Sequence, residues 1–244
     1  MNINTIIGLV MGMTVMYVTA SMGGRGLSGF LDLHAFLIVA GGCTSAVILA
    51  VDLSDLMSIP KVLKLIFAGA PNYKAIVEKL TKFSEIARRD GLLALEGSLK
   101  DIEDHIFRKG LQMAIDGTSS EDIQKFFDAH MEVAEQHNEH GKKVIEFYEK
   151  WAPSFGLLGT LQGLINMLQN LEDPNTIAPS MGVAMVATFY GAFLAFMLGG
   201  PLACKMQRSL DNEHHKHQII KDGIASIQNG ENPRLLEQRL TMYL

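Results

Sequence analysis

The 244-residue chain is 48% hydrophobic and 19% charged, with a formal net charge of −5. That charge gives no electrostatic footprint for a nucleic-acid partner. The distribution of charged residues excludes an ordinary soluble domain: Asp, Glu, Lys and Arg are absent from Met1–Gly24, Leu33–Val51, Trp151–Leu171 and Pro174–Cys204, and the next longest such window is only Leu65–Tyr73.

About 20 apolar residues of helix cross a hydrocarbon core, so each of the four windows predicts a span. The chain reads as all-α and polytopic, with transmembrane helices near 3–22, 33–51, 151–171 and 179–203. Helix is the choice because four isolated strands cannot close a barrel in lipid. The first window opens Met1-Asn2-Ile3-Asn4-Thr5, with no Lys or Arg and an apolar run long for a signal core, so it reads as a retained helix.

Basic residues set the orientation. Of the 21 Lys and Arg, Arg25 alone lies between the first two helices and none between the last two; 14 fall in Asp52–Lys150 and six in Lys205–Leu244. The positive-inside rule puts the middle segment, the tail and both termini in the cytoplasm. The expected organisation is 1–51 as the first membrane hairpin, 52–150 as a cytoplasmic helical domain, 151–204 as the second hairpin and 205–244 as a cytoplasmic tail. Cys43 and Cys204 fall in or beside membrane helices of a chain facing a reducing compartment, and read as small apolar residues.

Asp32 stands at the outer mouth of the second helix, where an acid attracts cations or serves as an ordinary loop residue. In the middle segment, Ile76, Val77, Leu80, Phe83, Ile86 and Ala87 are at helical spacing, and Gly91 after Arg88-Arg89-Asp90 reads as a helix C-terminal cap. By themselves Arg88 and Glu96 read as solvated surface. Ser119-Ser120-Glu121-Asp122 after the turn Asp116-Gly117 marks a helix start, with Ile123, Phe126, Phe127, Val133 and Ala134 facing a partner helix. Nothing breaks the chain between Gly141 and the third span, so that helix is expected to continue below the membrane as a stalk. His130, His137, His140, His214, His215 and His217 show no metal-ligand spacing and read as solvated surface.

The membrane windows carry two signals. The first is close packing. Ala187, Gly191, Ala195 and Gly199 place a small residue at every fourth position, and Gly159-x-x-x-Gly163 and Gly8-x-x-x-Gly12 repeat the spacing, which lets backbones approach in lipid. The second is an absence. No span holds Asp, Glu, Lys or Arg near its centre, so an ion path here needs a titratable carboxylate from another chain. The polar groups on offer are Thr160 in the third helix, and Thr188 and Tyr190 in the fourth. Thr160 and Thr188 either line a path or bond back to the preceding turn. Pro153 and Pro201, near the cytoplasmic ends, each free a carbonyl. No catalytic constellation, nucleotide loop or metal site is present in the sequence, so neither enzyme nor cofactor is expected.

These residues resemble the MotA/PomA flagellar stator subunit family. The paired hairpins and the intervening segment of about a hundred residues fit it over nearly the whole chain. The specific parts are Ala152-Pro153 through Gly159-Thr160-Leu161 and Gly163-Leu164, Asp173-Pro174, and Ala187-Thr188-Phe189-Tyr190-Gly191 followed by Pro201. In the middle segment the fit is Ala87-Arg88-Arg89-Asp90-Gly91 through Leu95-Glu96; near the end it is Asn232-Pro233-Arg234. The resemblance implies a homopentameric ring in the inner membrane around a MotB/PomB-type dimer anchored to peptidoglycan. That partner supplies the missing aspartate, and ion flow turns the ring against the rotor protein FliG. It assigns Thr160, Thr188, Pro153, Pro201 and Tyr190 to the ion path and Arg88, Arg89 and Glu96 to rotor contact. The Thr160/Thr188 pair and Tyr190-Gly191 look closer to the sodium-type branch, whereas Ala187 stands where sodium-type members often carry threonine, so the cation is Na+ or H+. Gly97 replaces an acid of some relatives and leaves the rotor patch less negative. The competing reading is an ExbB/TolQ-type energiser of an outer-membrane process.

Overall fold

The structure is a computed structural model that describes residues 3–22, 26–52, 55–57, 59–60 and 69–243, without the side chains of Ile3, Leu27 and His137. Arg25, the single basic residue of the first hairpin loop, lies outside the described residues. All regular structure among the described residues is helical. The main helices are α1 (Ile3–Met22), α2 (Leu33–Ala50), α3 (Tyr73–Asp90), α4 (His105–Ile115), α5 (Ser120–Gln169), α6 (Pro174–Gln228) and α7 (Pro233–Thr241). The chain forms two compact units: Met1–Gly69 with Asn138–Arg208, and Ala70–His137 with Ser209–Leu244.

The first unit holds α1, α2, the C-terminal part of α5 and the N-terminal part of α6. Three helical stretches among the described residues are long and apolar enough to cross a membrane: Asn4–Met22, Leu33–Ala50 and a stretch of Pro174–Gln228. The stretch Trp151–Leu171 is not among them, because Thr160, Gln162, Asn166 and Gln169 dilute its apolar content. The fourth helix starts at Pro174 rather than near residue 179. Asp173 accepts from the Asn175 N–H at 3.0 Å, and Pro174 fills a first-turn position whose missing N–H costs nothing.

Small side chains form the core of this unit. Ala35, Val39 and Ala187 make one cluster; Cys43, Ala152 and Ala195 make another, flanked by Phe147, Tyr148, Phe155 and Leu194. A Cβ built on Gly191 would lie 2.6 Å from the Ala152 carbonyl oxygen, and one on Gly163 would lie 2.8 Å from the Ser180 carbonyl oxygen. Backbone therefore meets backbone between α5 and α6, the geometry that small residues permit in lipid. On α1, Gly12 lies against Met197 whereas Gly8 meets nothing within 4 Å. A π-helical turn, Phe193–Gly199, interrupts α6, with the Gly200 N–H bonding to the Ala195 carbonyl. It ends two residues before Pro201, which removes an N–H from the regular ladder.

The second unit has a conventional core. Val77, Leu80 and Phe83 of α3 pack with Leu95, Leu99, Phe107, Leu111, Ile123 and Phe127. Ile219, Ile220, Ile224 and Ile227 of α6 and Leu236 and Leu240 of α7 belong to the same cluster, so the tail is part of this core. Burying each such side chain is worth about 1.5–3 kcal/mol. Helix ends follow local chemistry. Gly91 has φ +86° and donates its N–H to the Ala87 carbonyl at 2.9 Å, ending α3; a 3-10 segment, Leu92–Asp101, follows. Asp104 caps α4 by accepting from the Ile106 and Phe107 N–H groups at 2.9 and 3.0 Å. Ser119 accepts the Asp122 N–H at 3.1 Å and starts α5.

Two expectations are corrected here. Val133 is 64% exposed and outside the core cluster, because it falls outside the stripe set by Ile123 and Phe127. His217 is buried, not solvated, because it shares the apolar face of α6 with Ile220 and Ile224. His130 stacks on Phe126 and meets the His217 ring edge-on at 5.5 Å, and His215 lies within hydrogen-bond distance, 2.8 Å, of the Tyr243 carbonyl.

Candidate functional site

In the first unit α5 and α6 run side by side, and their small residues bring two hydroxyls together. The Thr160 and Thr188 hydroxyls hydrogen-bond each other. Thr160 Oγ1 also lies 3.1 Å from the Gly156 carbonyl oxygen and 3.2 Å from that of Ala184, and Thr188 Oγ1 lies 3.2 Å from the same Ala184 oxygen. Each threonine thus bonds back one turn, and each also reaches across to the other helix. Two hydroxyl protons are shared among two hydroxyl and two carbonyl oxygens, so the cluster keeps spare lone pairs. Oxygen-rich backbone and hydroxyl clusters of this kind suit a small cation. Ala184 was not singled out from sequence; its signal was its place one turn before Thr188.

The close approach depends on the residues around the pair. Gly156, Gly159 and Gly163 lie on the α5 face that meets α6, against Ala187, Gly191 and Ala184. Ala187 and Ala195 are fully buried, and Gly199 packs on the Glu149 backbone. The whole ladder Ala187, Gly191, Ala195, Gly199 is therefore used within one chain. Pro153, half-buried, and Pro201, exposed, sit inside α5 and α6.

Tyr190 is not brought to the threonine pair. Its hydroxyl donates to the Phe30 carbonyl and accepts the Asp32 N–H at 3.3 Å, which ties the first hairpin loop to α6. Phe36 meets its ring edge-on at 6.4 Å. Tyr190 is sixteen residues beyond Pro174, or about 24 Å along α6. The Asp32 backbone is thus far from Glu172-Asp173 and close in level to Thr188. Its carboxylate accepts the Ala35 N–H at 2.8 Å and caps α2.

The charged candidates lie in the second unit. Arg88 and Glu96 are exposed, and among the described residues neither makes an ion pair. Arg89 grips Asp90 at 2.7 Å, and that hydrogen bond holds the Asp90 carboxyl below its usual range. A half-buried ion-pair network lies around α6. Lys216 bridges Asp104 at 2.9 Å and Glu213 at 2.6 Å. Burial alone would raise the Asp104 carboxyl, but the Phe107 N–H and Lys216 hold it below the usual range. Burial first, and Lys216 next, push the His217 imidazole down.

Comparison with known proteins gives a consistent picture. Residues 98–219 match the profile of the MotA/TolQ/ExbB proton channel family. Uncharacterized protein YtxD of Bacillus subtilis (strain 168) is 38% identical over 98% of this chain and 89% of its own length. Motility protein A of Treponema phagedenis is 37% identical over 100% of this chain and 94% of its own. Chemotaxis protein PomA of Vibrio alginolyticus is 30% identical over 100% and 96%. Among solved structures, C. jejuni MotAB superposes with a TM-score of 0.92 at 30% identity, covering 100% of this chain and 96% of that one. The flagellar MotAB stator complex from Bacillus subtilis gives 0.90 at 29%, covering 98% and 94%.

Proposed function

We infer that this chain, which belongs to the MotA/TolQ/ExbB proton channel family, is a flagellar motor stator subunit that holds half of an ion path. The observation that carries the mechanism is the Thr160–Thr188 oxygen cluster on a bundle whose spans lack a carboxylate at their centres. The motility proteins it resembles match it along its full length, which favours this reading over an outer-membrane energiser. Its structural neighbours are stator complexes of the MotAB type, which supports a MotB-like partner here.

The remainder of the mechanism follows as a proposal. Four helices span the inner membrane: α1, α2, and the apolar parts of α5 and α6, with both termini in the cytoplasm. Five copies form a ring around the partner dimer, whose aspartate completes the site. The oxygens of Thr160 and Thr188, with the Ala184 carbonyl, strip and pass a cation that the partner carboxylate binds; Asp32, level with Thr188, attracts that cation; and Pro153 and Pro201 open the backbone at the inner end. A hydroxyl cannot take up and release a proton near neutral pH whereas a carboxylate can, so the threonine site needs the partner's group. The cation is sodium or a proton. Arg88, Arg89 and Glu96 form the exposed surface that engages FliG.

Deleting the gene for this chain tests the assignment. Cells should keep assembled flagella but stop swimming, and swimming that continues unchanged in a strain with no other stator would contradict it. The dependence of restored speed on external sodium then identifies the ion.

A further inference from the structure

Glu149 lies on α5, four residues before Pro153. Pro153 has no N–H, so the Glu149 carbonyl lacks its usual helical donor, and on α6 Pro201 likewise withholds an N–H from the ladder. The two places adjoin. A Cβ built on Gly199 would fall 2.9 Å from Glu149 Cα, and one on Gly200 would fall 3.2 Å from Glu149 Oε1. The carboxylate therefore rests beside the backbone just before Pro201. It is half-buried, and among the described residues it makes no hydrogen bond or ion pair. The lysines near it in sequence are occupied: Lys142 pairs with Glu146 at 3.2 Å, and Lys150 lies over the Trp151 ring.

Register connects this carboxylate to the threonine pair. Thr160 and Glu149 are eleven residues apart, three turns and about 16 Å, and differ in direction by only about 20° on the helix face. Thr188 and Gly199 on α6 are also eleven residues apart. The Glu149–Gly199 contact thus repeats the Thr160–Thr188 contact three turns further along the same helix pair.

We propose that Glu149 is a further ion-path residue, the carboxylate that receives the cation leaving Thr160 and Thr188 before its release. The proposal rests on the stator reading above. An unpaired carboxylate beside the backbone before Pro201 is a hard oxygen donor, fit to coordinate sodium or to accept a proton. An unpaired negative charge at the end of a low-dielectric path also raises the local cation concentration. Gly199 and Gly200 are small because the Glu149 backbone and carboxylate occupy the space their side chains would need.

The test uses the complete complex of this chain with its partner in liposomes, under an imposed sodium gradient and, separately, a proton gradient. Glu149→Gln keeps the size and removes the charge; Glu149→Asp keeps the charge. The Gln complex should assemble normally and conduct about tenfold less, the scale of a lost focusing charge. The Asp complex should recover most of the flux. Wild-type flux in the Gln complex overturns the proposal, as does equal loss in Gln and Asp or failure of the Gln complex to assemble, since those mark a packing role. No flux from the unmutated complex under either gradient would instead overturn the stator reading beneath it.

Discussion

Thr160 and Thr188 hydrogen-bond each other across the α5–α6 contact while both reach the Ala184 carbonyl. Gly156, Gly159, Gly163 and Gly191 let the two backbones approach, so the packing face is also the face of the proposed ion site.

Removing one hydroxyl should separate the two roles. Thr160→Ala or Thr188→Ala gives up a hydrogen bond worth about 1 kcal/mol, too little to unfold a packed bundle. The complex should still assemble, as read by size-exclusion chromatography, but swimming should stop. Thr→Ser at either position keeps the oxygen and should retain measurable speed. Loss of assembly in the Ala variants would make packing the main role.

Gly191→Ala should act in the opposite way. The added methyl would lie 2.6 Å from the Ala152 carbonyl oxygen, a backbone atom that cannot rotate away. Overpacking of this kind costs about 1–3 kcal/mol. The purified complex should melt at a lower temperature, and flux should fall because the threonines are pushed apart.

Charge reversal at Arg88 should leave stability unchanged, because the side chain is exposed and makes no ion pair among the described residues. Torque on a tethered cell should fall, and a compensating reversal on the rotor should restore it. Failure of every rotor charge to rescue would remove the direct contact.

The buried His217 predicts an acid-sensitive step in stability. Burial, then Lys216, lower its folded pKa below the ordinary 6.5, so the unfolded chain binds more protons in this range. Its contribution is complete above pH 6.5 and declines as pH falls from 6.5 through the folded value, by at most about 1.4 kcal/mol per pH unit. Asp104, held below 3.8, loses its contribution only at lower pH. Denaturation of the full protein in detergent at stepped pH measures this. His217→Leu should remove the upper step and leave the lower one.

The sequence made some of this legible and left the rest to long-range contacts. Charge-free windows located α1, α2 and the apolar part of α6, because excluding charge from lipid is a strong local constraint. Gly91 and Ser119 marked helix ends, because caps depend on a few adjacent residues. The Gly159-x-x-x-Gly163 spacing marked a close-packing face on α5 but did not say which helix lay opposite. The Tyr190 tie to Phe30 spans 160 residues in sequence, and nothing local announces it. His217 looked solvated beside His214 and His215, and only the packing of α6 into the second unit buries it.

The central claim is that this chain supplies the threonine and carbonyl oxygens of the site and its partner supplies the titratable group that completes it. Ion flux into liposomes tests it most directly, comparing this chain alone, with its partner, and with the partner's membrane aspartate changed to asparagine. Flux should appear only with the intact partner. Robust flux from this chain alone would contradict the account.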